Sequence, residues 1–216
     1  GATLFMTLLA GFMSLVHFYT GKEDLVIGTD VANRNRSETE GLVGFFVNQL
    51  VLRANLSGNP TFRDLLRRVS EVCHEAYAHQ DLPFDKLVEA LNPKRDGSAV
   101  LFNVKLILQN APRPPLALPG LTLTPLETEA GTAKYDLLLD LGETEQGLQG
   151  AAHYKTDLFN ASTIDRMLNL YETVLQTVTQ RPGIHLDELD DVLSNAEQQQ
   201  RLAKEDEFQQ ARRLKL

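Results

Sequence analysis

The stretch from Thr3 to Tyr19 is apolar along most of its length and constrains the fold more than any other part of the chain. A helix of this composition must be buried. The stretch is marginally short for a membrane span, which needs roughly 20 residues, and it lacks the basic start and the cleavage site of a signal peptide. We therefore expect a buried core helix that ends near Gly21. Because the chain begins almost directly inside this helix, we expect a cut through a larger fold.

Further helices and strands are predicted from the periodicity of apolar residues, and their ends from Gly, Pro and Asn residues. The predicted strands are Asp24–Thr29, Phe45–Arg53, Val100–Leu108, Leu121–Leu126, Tyr135–Leu141 and Leu148–Tyr154. The predicted helices are Phe62–Ala78, a short helix opened by Asp81 and Pro83 with Phe84, Leu87, Val88 and Leu91 facing inward, and Ala161–Gln180. The order lacks a strict beta-alpha-beta alternation. We therefore expect an α/β protein with one mixed sheet flanked by helices.

The domain organisation follows from length and polarity. With 216 residues the chain can bury a sizeable core. From Ser194 onward it is polar and carries few large apolar residues. We expect a folded unit over residues 1–192 and a polar helical tail or interdomain linker over residues 193–216.

The net charge restricts the partners that we expect, and the cysteine content restricts the cellular compartment. The net charge of -8 argues against binding to nucleic acid and to an anionic membrane surface. The single cysteine, Cys73, lies on the apolar face of its predicted helix, so we interpret it as a core residue. One cysteine cannot form an internal disulfide and fits a reducing compartment, so we expect a cytoplasmic protein.

Catalytic signatures are missing from the sequence. The five histidines are all isolated, and there is no Gly-x-Ser-x-Gly elbow, phosphate loop, dinucleotide fingerprint or His-Glu-x-x-His pair. The acidic residues 187–191 lack the spacing of a calcium loop. We therefore assign no catalytic residue, no metal and no directly bound cofactor.

Asn48 is the one asparagine inside the apolar run from Gly44 to Arg53. A buried amide has to be hydrogen-bonded, so Asn48 holds a neighbouring backbone segment in place in the first interpretation. In the second interpretation it lines a cavity.

Residues His79 to Asp85 join two predicted helices. Asp81 can cap the second helix, and Pro83 suits an early helical position. Capping does not explain His79 or Gln80, which either lie on the surface or hold the junction against another segment. Arg95 and Asp96 form an adjacent charge pair, interpreted as an exposed loop unless Arg95 is buried.

The order of several weak motifs is more specific than any one of them. The motifs are Gly1–Phe5, Gly28–Asn35, Val43–Asn48, Leu56–Phe62, Ala76–Phe84, Leu118–Leu121, Ala133–Leu137 and Thr156–Phe159. Together they resemble the C-terminal half of a condensation domain of nonribosomal peptide synthetases. The family's catalytic signature, two adjacent histidines followed by an Asp-Gly pair, is not in the sequence.

The resemblance implies one half of a chloramphenicol-acetyltransferase-like fold, in which two halves enclose a tunnel. It implies a part in forming an amide between a carrier-bound acyl or peptidyl thioester and a carrier-bound aminoacyl amine. The upstream half supplies the histidine pair, so this chain is expected to be inactive alone. The implied partners are that N-terminal half, carrier proteins bearing phosphopantetheine, and a neighbouring synthetase or tailoring domain.

The resemblance also assigns residues. The candidates for the tunnel or acceptor side are Asn48, Phe46, Lys134, Tyr135 and Asp136. The structural residues of the family motifs are Gly44, Val47, His79, Gln80, Asp81, Pro83, Phe84, Arg95 and Asp96. The chain departs from the family pattern at Gln49, where a threonine is usual, and in the shorter region after Asp96, which lacks the usual proline.

Two other functions remain open. The chain is, alternatively, a non-catalytic interaction module that recruits a carrier protein or a tailoring enzyme. A free-standing acyltransferase ranks last, because it needs the missing histidine signature. An isolated half is expected to expose an apolar surface, which a homodimer would cover.

Overall fold

The computed structural model describes residues 1–34, 37–93, 101–109, 121 and 131–213, and the side chains of these residues except 40 and 205–213. The helices are α1 (Leu4–Thr20), α2 (Ser37–Glu40), α3 (Phe62–Ala78), α4 (Phe84–Leu91), α5 (Ala161–Gln180) and α6 (Leu186–Arg213). The strands are β1 (Asp24–Val31), β2 (Asn48–Asn55), β3 (Val104–Gln109), β4 (Leu137–Thr144) and β5 (Gly147–Tyr154).

The described strands form one mixed sheet in the order β2-β1-β3-β4-β5. β1 runs antiparallel to β2 and parallel to β3, β3 runs parallel to β4, and β4 and β5 are antiparallel. The predicted mixed sheet flanked by helices is therefore confirmed.

Helix α1 is the buried core helix that its composition predicts. The Thr3 hydroxyl accepts a hydrogen bond from the Met6 amide at its start, and Gly21 ends it in the left-handed region with φ 64°. Residues 8–15 are buried, and the helix packs against α3, α5 and the sheet. Within the described residues, no helix has the length and apolar character needed to span a membrane.

The two faces of the sheet differ. The core helices α1, α3 and α5 pack on one face, here called the helix face, which carries the buried residues Leu25, Ile27, Leu50, Leu52, Leu106 and Leu139. Because side chains alternate along a strand, the intervening residues point to the opposite face, here called the second face. These include Gly28, Asp30, Gln49 and Lys105.

Several details of the structure differ from the predictions. β2 begins at Asn48 rather than Phe45, because the residues before Asn48 leave the sheet. No residue of α4 is buried, and Leu91, predicted to face inward, is 59% exposed. α6 begins at Leu186, buries Leu189 and Leu193, and continues through the predicted polar tail to Arg213.

Two other predictions fall on undescribed parts of the chain. The Arg95–Asp96 pair lies outside the described residues. So does the Leu121–Leu126 strand, apart from Leu121 itself.

Candidate functional site

Asn48 joins the start of β2 to the junction between α3 and α4. Its Nδ2 donates to the carbonyl oxygens of Gln80 at 2.8 Å and Leu82 at 2.7 Å, and its Oδ1 accepts from the Phe84 amide at 3.1 Å. These contacts use both donor hydrogens and one acceptor site of the amide. Asn48 therefore holds a neighbouring backbone segment, as its first interpretation predicts.

The contacts at this junction correct one prediction. Asp81 does not cap α4: the capping position is Pro83, and no local side chain bonds there. The amide of Phe84, an orphan donor at the helix start, is instead satisfied by Asn48. The His79 side chain is exposed, and Gln80 contributes its carbonyl oxygen rather than its side chain. Asn48 therefore contacts the junction through the backbone atoms of the junction.

An exposed apolar segment, residues 42–47, precedes Asn48. Leu42, Val43, Phe45 and Val47 are all exposed, Phe45 to 91%. Arg34 organises this segment: its guanidinium donates to the carbonyl oxygens of Thr39, Leu42 and Gly44 and lies 4.2 Å from the centre of the Phe46 ring. The apolar side chains are thus held out from the core by an ordered backbone.

Four polar residues form a cluster on the second face, here called the polar cluster: Asp30, Gln49, Lys105 and Tyr135. Lys105 is only 3% exposed, and its ammonium lies 2.6 Å from the Asp30 carboxylate. The Tyr135 hydroxyl lies 2.6 Å from Gln49 Nε2 and 3.5 Å from Lys105 Nζ. The cluster therefore links β1, β2 and β3 to Tyr135, which lies two residues before β4.

Aromatic rings cover the second face beside the polar cluster. Phe102 stacks on Tyr135 with 5.5 Å between ring centres, and Phe84 meets Phe102 edge-on at 5.7 Å. The Phe102 ring lies against Gly28, where a Cβ atom would come within 2.1 Å of it. A glycine is therefore needed at this point of β1 for the ring to approach the sheet.

The three neighbouring candidates Lys134, Tyr135 and Asp136 have different environments. Tyr135 is buried, and Asp136 is bound by Lys155 at 2.8 Å. That hydrogen bond raises the pKa of Lys155 above its usual value. Lys134 is exposed, with its ammonium 5.5 Å from the centre of the Tyr135 ring. Only Lys134 of the three therefore presents its side chain to solvent.

A cleft of about 300 Å³ opens where β1 and β3 end. Its lining includes Phe5, Asp30, Arg34, Tyr77 and Gln80. Ligands of open α/β sheets commonly bind outside the carboxyl ends of parallel strands. The lining thus includes Arg34, which holds the backbone of the apolar segment, and Gln80, which Asn48 contacts.

The structure brings some predicted residues together and separates others. Asn48 contacts Gln80, Leu82 and Phe84 in one network. Tyr135 enters a different network through Gln49 and Lys105. The sequence reasoning missed Arg34, Asp30, Gln49 and Lys105. A signal existed for Lys105, because a lysine inside the apolar run from Val100 to Leu108 has to be paired if it is buried.

Two further features of the described residues concern metal binding and thiol chemistry. Among them, no three His, Cys, Asp or Glu residues lie close enough together to hold a metal ion. Cys73 is buried in α3, and burial raises the pKa of its thiol to about 11, which fits its interpretation as a core residue.

The chain is similar to known proteins over most of its length. The family model described as "Condensation domain" matches residues 1–202. One of the subunits of linear gramicidin synthase from Brevibacillus parabrevis is 49% identical over 185 residues, covering 84% of this chain and 2% of that protein. Bacitracin synthase 3 of Bacillus licheniformis is 41% identical over 198 residues, covering 91% of this chain and 3% of that protein. The chain thus spans only a few per cent of the length of these relatives.

Solved structures give the same answer for the fold. A four-domain nonribosomal peptide synthetase bound to AMP and glycine superposes with a TM-score of 0.79 at 27% identity, over 87% of this chain and 15% of that one. The X-domain from teicoplanin biosynthesis, solved in complex with OxyB, gives 0.76 at 30% identity, over 88% of this chain and 42% of that one. The predicted chloramphenicol-acetyltransferase-like fold is confirmed.

Proposed function

This chain belongs to the condensation domains of nonribosomal peptide synthetases, and we propose that it is the acceptor-side half of such a domain. In this proposal the complete domain forms an amide bond between a carrier-bound acyl or peptidyl thioester and a carrier-bound aminoacyl amine. The observation that carries the proposal is the exposed apolar segment beside the sheet. Core helices bury the helix face, and aromatic rings lie over the polar cluster on the second face, but four apolar side chains of residues 42–47 stay exposed.

The exposed apolar segment supports the proposal that a partner binds to this part of the chain. Four apolar side chains between residues 42 and 47 are exposed, and Arg34 holds the backbone that carries them. Exposed apolar patches on ordered backbone commonly mark interfaces. The chain also matches only 42% of the X-domain chain. The proposed occupant is the N-terminal half of the same condensation domain.

The proposed division of labour follows from the histidines. In this family the signature of two adjacent histidines handles protons, and none of the five histidines here is adjacent to another. Condensation needs that general base or positioning group as well as the proximity that two bound thioesters provide. This half is therefore expected to be inactive alone and to supply the acceptor wall, with Asn48, Phe46 and Lys134 to Asp136 on or near the tunnel.

The remaining parts of the proposal concern partners and place. Phosphopantetheine would arrive on donor and acceptor carrier proteins, with no cofactor held by this half itself. The net charge of -8 disfavours nucleic acid and anionic membranes as partners. We place the protein in the cytoplasm, and an isolated half would cover its apolar segment by forming a homodimer.

The direct test compares the chain alone with the chain joined to an N-terminal half that carries the histidine pair. Acyl-pantetheine donors and aminoacyl-pantetheine acceptors serve as probes, and amide product is followed by mass spectrometry. The chain alone should give no product above the uncatalysed background, and the joined halves should turn over. Turnover by the chain alone would refute the proposal, as would failure of the joined halves to condense any probe.

A second candidate function is a non-catalytic interaction module. It is favoured by the similarity to an X-domain that was solved in complex with OxyB. A pull-down of this chain against purified carrier proteins and tailoring enzymes separates the two functions. Capture of a tailoring enzyme, together with inactive joined halves, would support the module. Capture of the N-terminal half with turnover would support the condensation function.

A further inference from the structure

Gln49 and Lys105 meet at one atom, the hydroxyl oxygen of Tyr135. Gln49 extends from β2 and Lys105 from β3, and their side-chain nitrogens lie 2.6 Å and 3.5 Å from that oxygen. Gln49 also stands where the family usually has threonine, whose shorter side chain carries no terminal amide. The contact from β2 to Tyr135 is therefore made by the part of Gln49 that a threonine lacks.

Lys105 is itself fixed in place. Its side chain is almost completely buried, and an unpaired ammonium in that position would carry a large desolvation cost. The Asp30 carboxylate at 2.6 Å balances this charge, and β1 and β3 are neighbours in parallel register. The ammonium also lies 4.8 Å from the centre of the Tyr135 ring. Tyr135 is thus held by its hydroxyl and by its ring.

The Lys134 ammonium lies over the ring of Tyr135. The distance from the ammonium to the ring centre is 5.5 Å, within the range of a cation–π contact. On the other side of Tyr135, Asp136 is bound by Lys155. Lys134 is the exposed member of this sequence and the one available to a ligand.

We propose that Gln49 and Lys105 are positioning residues that act through Tyr135 to hold Lys134 at the acceptor wall. They thereby lower the KM for the aminoacyl acceptor without taking part in bond formation. The inference rests on the proposed function, because it needs an acceptor thioester on this side of the domain. A purely structural role would instead change the stability of the chain and leave the acceptor KM unchanged.

The test uses the synthetase polypeptide that contains these residues, with acyl-pantetheine as donor and alanyl- and leucyl-pantetheine as acceptor probes. The variants are Q49T, Y135F and the double variant Q49T/Y135F. Y135F removes the hydroxyl and keeps the ring that stacks on Phe102. The control is Q149T, the same substitution at an exposed position of β5.

Q49T and Y135F should each raise the acceptor KM by roughly two- to tenfold, the effect of one hydrogen bond. The donor KM and kcat should stay within about twofold, and Q149T should change nothing. Because both variants break the same contact, Q49T should add nothing further in the Y135F background.

An unchanged acceptor KM in a folded Q49T variant would overturn the inference while the proposed function stands. Additive effects of Q49T and Y135F would overturn it as well. A wild-type synthetase that condenses none of the probes would overturn the proposed function, and this inference with it.

Discussion

Asn48, the first residue of β2, caps helix α4. Its Oδ1 accepts a hydrogen bond from the Phe84 amide at 3.1 Å. A helix start normally takes its cap from the residue just before it. Pro83 occupies that position here and offers no side-chain acceptor. The α3–α4 junction therefore keeps its place only while β2 is formed, which couples a local turn to the edge of the sheet.

Replacing Asn48 by alanine should destabilise the chain by about 1–3 kcal/mol. The variant leaves the Phe84 amide and the Gln80 and Leu82 carbonyls without their partner. N48D should cost at least as much, because its carboxylate cannot donate to the two carbonyl oxygens and is repelled by them at that distance. Urea unfolding measures both effects. The control is N195A, an exposed asparagine in α6, and equal stability of N48A and N195A would contradict the coupling.

The effects of removing Lys105 and Asp30 should not be additive, because the two side chains form one buried ion pair. K105M leaves the Asp30 carboxylate beside an apolar side chain, and we expect a loss of about 2–4 kcal/mol. The double variant D30N/K105M removes both charges, so its loss should be smaller than the sum of the single losses. Unfolding curves of K105M, D30N and D30N/K105M give the coupling energy. Strict additivity would show that the 2.6 Å contact carries no energy.

Local sequence patterns predicted the helices and strands well. The contacts of the candidate site, in contrast, join residues that are far apart in the sequence. The limits of α3, α4 and α5 follow from apolar spacing and from nearby Asn, Thr and Pro residues, and the structure matches them. The predicted cap of α4 was wrong because the true acceptor belongs to a residue 36 positions earlier, which no local rule can find. The polar cluster was missed for the same reason, since Gln49 and Tyr135 are 86 positions apart.

Cys73 should be protected from thiol reagents in the folded chain. Burial raises the pKa of its thiol to about 11 from an ordinary 9.0. At pH 8 we expect modification by a disulfide reagent to be at least about a hundredfold slower in the native chain than in urea.

The stability change linked to this thiol has a definite sign. The folded state favours the protonated thiol, so its stabilising contribution is complete below pH 9 and is lost as the pH rises through about 11. C73A should remove that part of the pH dependence. Rapid modification of the native wild type at pH 8 would contradict the buried position.

The apolar segment should matter for association rather than for folding. Phe45 is 91% exposed, so F45S should change the free energy of unfolding of the chain alone by less than about 0.5 kcal/mol. If the N-terminal half covers this segment, F45S should weaken its binding by roughly tenfold or more. Isothermal titration with the separate N-terminal half measures this. L158S, at an equally apolar exposed site, is the control, and equal weakening by both variants would argue against this interface.

A side chain at Gly28 should destabilise the chain, because the Phe102 ring occupies the space that a Cβ atom would need. The nearest ring carbon would lie 2.1 Å from that atom. The ring cannot simply move aside, since it stacks on Tyr135 and meets Phe84 edge-on. We expect G28A to destabilise the chain by about 1–3 kcal/mol, the usual cost of overpacking.

Two further variants separate this clash from the general effect of alanine in a strand. In G142A the nearest neighbour of the added Cβ lies at an ordinary 3.8 Å, so its stability should stay near that of the wild type or rise slightly. F102L removes the ring atoms that meet the Cβ, so G28A should cost less in the F102L background. If G28A and G142A had equal unfolding midpoints, the close approach of Phe102 to β1 would be wrong. The aromatic cover over the polar cluster would then have to be placed elsewhere.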